Sequence, residues 1–222
     1  MFGNFLSNLA NFNPADFIIT FMVLVLSITI HEFAHCWIID RLGDDTPRLA
    51  KRLTLNPLAH LDPIGTVFMV LMIISGVGIG WGKPAPLSIF NLRHPERDSM
   101  ITAAAGPISN FLQMLAWASL ALLVYTFVPP QYLSISLQVC VTGAVINAAL
   151  TVFNLLPFHP FDGHYILGYL VPAARPVIAN PMVGMVLLVF ILLDVGHIQT
   201  LLFGTLGGYL LTVCHWMVGG II

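Results

Sequence analysis

Residues 15–39 read ADFIITFMVLVLSITIHEFAHCWII, an apolar run that carries His31-Glu32-Phe33-Ala34-His35 near its end, followed by one further apolar turn. At 1.5 Å per residue the run makes a helix of roughly 37 Å, enough to cross the bilayer's hydrocarbon core with some tilt. Residues i and i+4 share a helix face, so His31 and His35 point the same way. Two imidazoles on one face can hold one zinc ion, and Glu32, beside the first, can reach water at that ion. Ionisable side chains inside a lipid-spanning helix are costly, which makes this cluster a functional site by default. The chain has only two glutamates, Glu32 and Glu96, so background composition does not explain a glutamate at this position.

Of the 222 residues, 58% are apolar and 8% are charged, with a mean hydropathy of +0.91. A soluble domain carries about 25% charged residues, so this chain cannot clothe a water-exposed surface. It reads as an all-α integral membrane protein whose helices satisfy their own backbone. The long runs lack the alternation of a β-barrel. A net charge of −2 and the lack of a basic tail leave no feature that recruits nucleic acid. Cys36, Cys140 and Cys214 have no paired spacing and read as small packing residues. Residues 1–14 lack the basic start and cleavage site of a signal peptide, so the first helix is expected to be retained.

Residues 40–61 form the most charged loop, with Arg41, Arg48, Lys51 and Arg52 against Asp40, Asp44 and Asp45. Excess Lys and Arg in a short loop marks the cytoplasmic side. His35 lies five residues before Asp40, which sets a metal there roughly 8 Å below that surface. His60, in a turn-rich stretch, is a weak further ligand candidate. The run Ile64–Ser75 is short for a span, and the glycines at 76, 78, 80 and 82 suit only backbone held against protein or a watery cavity. Cationic flanks on both sides favour a segment that dips in and returns, with an ordinary span as the alternative. Residues 76–88 are expected to form a small membrane-associated β-hairpin or re-entrant region whose edge could pair with an extended peptide.

Ser99–Val128 and Leu133–Leu156 read as two further spans joined by the uncharged Pro129-Pro130 turn, with Asn110 facing the bundle. Pro157-Phe158-His159-Pro160-Phe161-Asp162-Gly163-His164 then breaks the second one on the side of His31 and His35. Asp162 is the best-placed carboxylate for a third ligand, its rival role being a cap on the helix starting near Gly163. His159 and His164 compete for ligand or supporting roles. About 176–220 reads as a last helix pair, for about five to six spans in a single domain over 1–222 with its catalytic core at about 15–172.

The chain resembles the site-2 proteases, zinc intramembrane metalloproteases, and within them the compact bacterial type without a PDZ domain. The resemblance rests on His31-Glu32-Phe33-Ala34-His35, on Ala105-Gly106-Pro107-Ile108-Ser109-Asn110, and on Phe153-Asn154-Leu155-Leu156-Pro157 followed by Phe161-Asp162-Gly163. Asn56–Thr66 and Gly82–Pro86 are similar to that subgroup as well, so the match covers roughly 20–170 in the family's order. It departs where the family usually ends its third signature in Leu-Asp-Gly-Gly, since Phe161-Asp162-Gly163-His164 stands here with His159 upstream.

The resemblance implies one zinc ion per chain held by His31, His35 and Asp162, with Glu32 as general base and acid. It implies that Asn154 helps to hold substrate or the oxyanion, and His159 and His164 are expected in supporting roles. The implied activity is cleavage within or near the transmembrane segment of a membrane protein. In bacterial relatives such substrates include membrane-bound transcription regulators. The setting it implies is the bacterial cytoplasmic membrane, among lipid, with the site near the cytoplasmic face. The same residues could instead line a zinc or proton transport path, or belong to an inactive relative that only binds membrane helices. Transporters often show paired halves, and no such repeat is visible here.

Overall fold

The computed structural model describes residues 12–75, 80–193 and 212. Its principal helices are α1 (Pro14–Arg41), α2 (Pro63–Ser75), α3 (Pro95–Phe127), α4 (Pro130–Asn154), α5 (Gly163–Leu170) and α6 (Pro181–Leu192). Each of α1–α4 and α6 opens on a proline, a residue whose missing N–H costs nothing in a first turn. Asn13 caps α1 by accepting from the Ala15 N–H at 3.0 Å, and Asp16 complements the positive end of the helix. Past its C-terminus the chain turns at Gly43, whose φ of +106° suits glycine alone.

Among the described residues three helices, α1, α3 and α4, are long and apolar enough to cross a membrane. The segments Pro172–Ile178 and Pro181–Leu192 meet at a 70° bend and together pass the same test. The chain is an integral membrane protein. The helix expected beyond residue 198, with Cys214, lies outside the described residues.

Small residues set how closely these helices approach. Met114, Ala118, Ala121, Cys140 and Ala148 pack α3 against α4, and Trp117 lies over Gly143, where an added Cβ would come within 2.4 Å of the indole. Between α1 and α4, Asn147 donates to the Ser27 hydroxyl at 2.9 Å, a buried polar contact that fixes register. Leu24, Ile28 and Met69 join α1 to α2.

Among the described residues there is no β-strand, which corrects the expected β-hairpin. What remains of it is one isolated antiparallel bridge, Leu61 with Gly82, extended by the Lys83 N–H donating to the His60 carbonyl at 2.7 Å. Pro84 and Pro86 have no N–H to offer a ladder, and the Arg52 guanidinium takes the carbonyls of Lys83 at 2.5 Å and Pro84 at 3.2 Å. At Gly82, Lys83 and Pro84 the main-chain groups are thus spent on the protein itself. The chain nevertheless doubles back: Gly80 lies against Met69, Trp81 against Gly65 and Phe68, and Gly82 beside Leu61. At 13 residues, α2 is about 20 Å long, too short to span by itself. Residues 76–79 lie outside the described part.

Candidate metal centre

One helical turn separates His31 from His35 in α1, and their rings meet edge to face with centroids 4.6 Å apart. Opposite them α3 presents Gly106, where a Cβ would come within 2.4 Å of both His31 Cε1 and His35 Nε2. Only glycine lets the two helices close around the imidazoles. Asp162 arrives from the broken end of α4. It stands at the N-cap position of α5, yet its side chain makes no capping bond. The carboxylate turns to the histidines instead, with Oδ2 3.5 Å from His31 Nε2 and 3.3 Å from His35 Nε2.

The turn carrying Asp162 is fixed from its apolar side. Leu156, Phe158 and Phe161 pack with Ile191 of α6, and Gly184 lets α6 lie directly on the His159 carbonyl. The His159 N–H donates to the Ile178 carbonyl at 2.9 Å. A bidentate pair, Arg175 to Glu96 at 2.6 and 3.0 Å, with Arg175 also donating to the Gly168 carbonyl at 2.6 Å, ties the segment after α5 to the start of α3.

Whether these residues fit a metal can be tested on the donors. The His31 Nε2 to His35 Nε2 distance is 3.0 Å. With the two carboxylate distances, the three separations bracket the edge of about 3.3 Å that a tetrahedron has when its ligands sit 2.0–2.1 Å from zinc. Asp162 Oδ2 is buried without a hydrogen-bond partner, an expensive state for a carboxylate oxygen unless a cation meets it. The other ring nitrogens are occupied: His35 Nδ1 donates to the Thr102 carbonyl at 2.8 Å, and His31 Nδ1 lies 3.2 Å from Asn110 Oδ1. A proton on Nδ1 leaves the Nε2 lone pair free to bind, so the donor set fits zinc.

Glu32 is buried next to this trio, its Oε2 without a partner, and Gly82 runs close to its side chain. The remaining candidates are not among these converging donors. Asn154 donates to the Leu150 carbonyl of its own helix at 2.9 Å. His164 Nδ1 donates to the Phe161 carbonyl at 2.5 Å, and the His159 ring lies 5.7 Å from that of His164. Neither belongs to the donor group of His31, His35 and Asp162. His60 is fully buried away from the centre: its Nε2 donates to the Thr54 carbonyl at 2.7 Å, and its Nδ1 accepts from Arg52 at 3.4 Å. Sequence reasoning missed the parts played by Gly106, Thr102 and Asn110 around the imidazoles. The only signal was the Gly106–Asn110 spacing, one helical turn on one face.

Two imidazoles and a carboxylate that converge on one point, with a second acid beside them, form a donor group that could hold a metal ion. A model of peptidase family M50 matches residues 19–194. The Bacillus subtilis protein named "Putative zinc metalloprotease YwhC" is 35% identical over 161 residues, 68% of this chain and 68% of its own. Two proteins named "Putative zinc metalloprotease Rip2" are also similar. That of Mycolicibacterium smegmatis is 30% identical over 73% of this chain and 61% of its own. That of Mycobacterium tuberculosis H37Rv is 25% identical over 87% and 70%. No solved structure matches. The chain belongs to peptidase family M50, the site-2 proteases, as a compact member.

Proposed function

We propose that this protein is a zinc-dependent intramembrane endopeptidase that cuts peptide bonds within or near the transmembrane segments of other membrane proteins. The observation that carries the reading is the convergence of His31, His35 and Asp162 at separations of 3.0, 3.3 and 3.5 Å beside a buried Glu32. Those three side chains would hold the zinc, which supplies Lewis acidity toward a peptide carbonyl and toward water.

The residues around it carry the proton and the geometry. Glu32 takes the proton from the attacking water and hands it to the leaving amine; its unpartnered Oε2 is free to do so. Thr102 and Asn110 hold the rings, and Gly106 gives them room. Asn154, on the last turn of α4, is assigned to the substrate or the oxyanion, with His159 and His164 in support of the Asp162 turn. A substrate helix hides its carbonyls in its own hydrogen bonds, so it must unwind before cleavage.

The setting follows from charge. Arg41, Arg48, Lys51 and Arg52, with Lys83, Arg93 and Arg97 further along, support a cytoplasmic His35 end of α1 and a site near that face. On this reading the chain crosses a bacterial cytoplasmic membrane about five to six times. Its substrates would be membrane proteins, including membrane-bound transcription regulators.

The test is Glu32→Gln, assayed in detergent on a model transmembrane substrate with zinc content measured alongside. Cleavage should fall by about 10²–10⁴-fold while about one zinc per chain stays bound. Undiminished cleavage overturns the role of Glu32.

A further inference from the structure

Resting on the reading of His31 as a zinc ligand, we propose that Asn110 is a positioning residue for the metal: its side-chain oxygen holds the His31 Nδ1 proton and thereby aims the Nε2 lone pair at the site. Asn110 is fully buried in α3, one turn beyond Gly106, and its Oδ1 lies 3.2 Å from His31 Nδ1 across the α1–α3 contact. A longer contact, 3.4 Å from the Ser109 hydroxyl, is its neighbour's. Its Nδ2 has no partner.

A buried amide that leaves two N–H groups unmet is a poor packing element. An apolar residue of similar volume would avoid the cost of about 1–3 kcal/mol for the stranded donor. The oxygen therefore has to account for the residue. The reverse amide orientation would put an N–H toward Nδ1 and force the imidazole proton onto Nε2, where it would block a metal. The two imidazoles also differ in a way that makes the idea testable. His35 is held by the Thr102 main-chain carbonyl, which no substitution removes, whereas His31 is held by a side chain. Partners of this kind are worth about 10–100-fold in metal affinity.

Zinc affinity would be measured on the full chain in detergent by competition with a chromophoric chelator, together with metal-free melting temperatures. Asn110→Leu should bind zinc about 10–100-fold more weakly while the metal-free protein melts no lower than wild type. Asn110→Asp, which keeps an acceptor at the same place, should bind within about threefold of wild type or more tightly. Wild-type affinity in Asn110→Leu overturns the proposal and leaves a packing role. If that variant does not fold, a loss of tenfold or more in Asn110→Asp overturns it instead. His31→Ala separates the two readings: wild-type zinc binding there would sink the metal-centre assignment and the part of Asn110 with it, whereas loss of zinc in His31→Ala beside wild-type affinity in Asn110→Leu overturns the part of Asn110 alone.

Discussion

Two buried polar clusters lie at the same end of the molecule, and they are built to opposite rules. In the loop cluster, Asp44 accepts from the N–H of Thr46 at 3.0 Å, the N–H of Ser88 at 2.7 Å and Asn91 Nδ2 at 2.8 Å, and from the Thr46 hydroxyl. Beside it, both nitrogens of His60 are used, and the Arg52 guanidinium spans two carbonyls with only Nε left over. In the metal cluster, by contrast, Asp162 Oδ2 and Glu32 Oε2 have no partner, and two Nε2 atoms face each other at 3.0 Å. A cluster whose polar groups are nearly all spent holds the chain together. One whose ligand atoms converge on a single point is suited to hold something else.

Removing a carboxylate from each cluster sets that contrast at its sharpest. Asp162→Ala should lower zinc affinity by on the order of 10³-fold or more, since it takes away one of three ligands. The metal-free protein should melt no lower than wild type, because the lost carboxylate neither caps α5 nor accepts a hydrogen bond at Oδ2. A large drop in the metal-free melting temperature would break the comparison.

Asp44→Ala should do the reverse. It strands the donors of Ser88, Thr46 and Asn91 and should cost about 2–3 kcal/mol, while the detergent-solubilised protein that remains folded still binds zinc at wild-type affinity. Chemical or thermal denaturation with parallel metal analysis distinguishes the two substitutions.

The smallest effect is a pH dependence in the loop cluster. Burial pushes His60 below its usual value of 6.5, against the opposing pull of its bond to the Thr54 carbonyl. The unfolded chain then binds a proton at this residue more readily than the folded one. The stability it contributes is therefore present above pH 6.5 and declines as pH falls below it. Asp44 is different: its hydrogen bonds outweigh its burial and keep it below the ordinary carboxylate value of 3.8, so its contribution is lost only below that pH. Melting temperatures between pH 7.5 and 5.5 should fall less steeply in His60→Gln than in wild type. An unchanged slope would remove His60 from the account.

Local pattern made much of this legible. Residues 15–39 differ from α1, Pro14–Arg41, by two residues at most, because a proline start and an unbroken apolar run are properties of adjacent residues. Helix α3 starts earlier than Ser99, at Pro95, because Glu96 and Asp98 suit a first turn even though they are charged. The first helix of the pair expected over about 176–220 begins only at Pro181, after a break at Ala179-Asn180 where Asn180 caps it by accepting from the Met182 N–H at 2.9 Å. The hairpin reading failed for another reason. Glycine and proline spacing announced an extended chain but not that Arg52, about 30 residues earlier, would occupy its carbonyls.

By itself the sequence determined a membrane-embedded helical chain, because 58% apolar composition and long uncharged runs allow no other solvent. It also determined one pair of facing imidazoles, because helical periodicity is a local property. The tertiary structure alone decided that Asp162 would stand 3.3 Å from His35, that Asn110 would meet His31 across 79 positions, and that Gly106 would make room for both rings. Those contacts depend on where α3 and the broken end of α4 pack against α1, a matter of helix-to-helix fit that no spacing along the chain encodes.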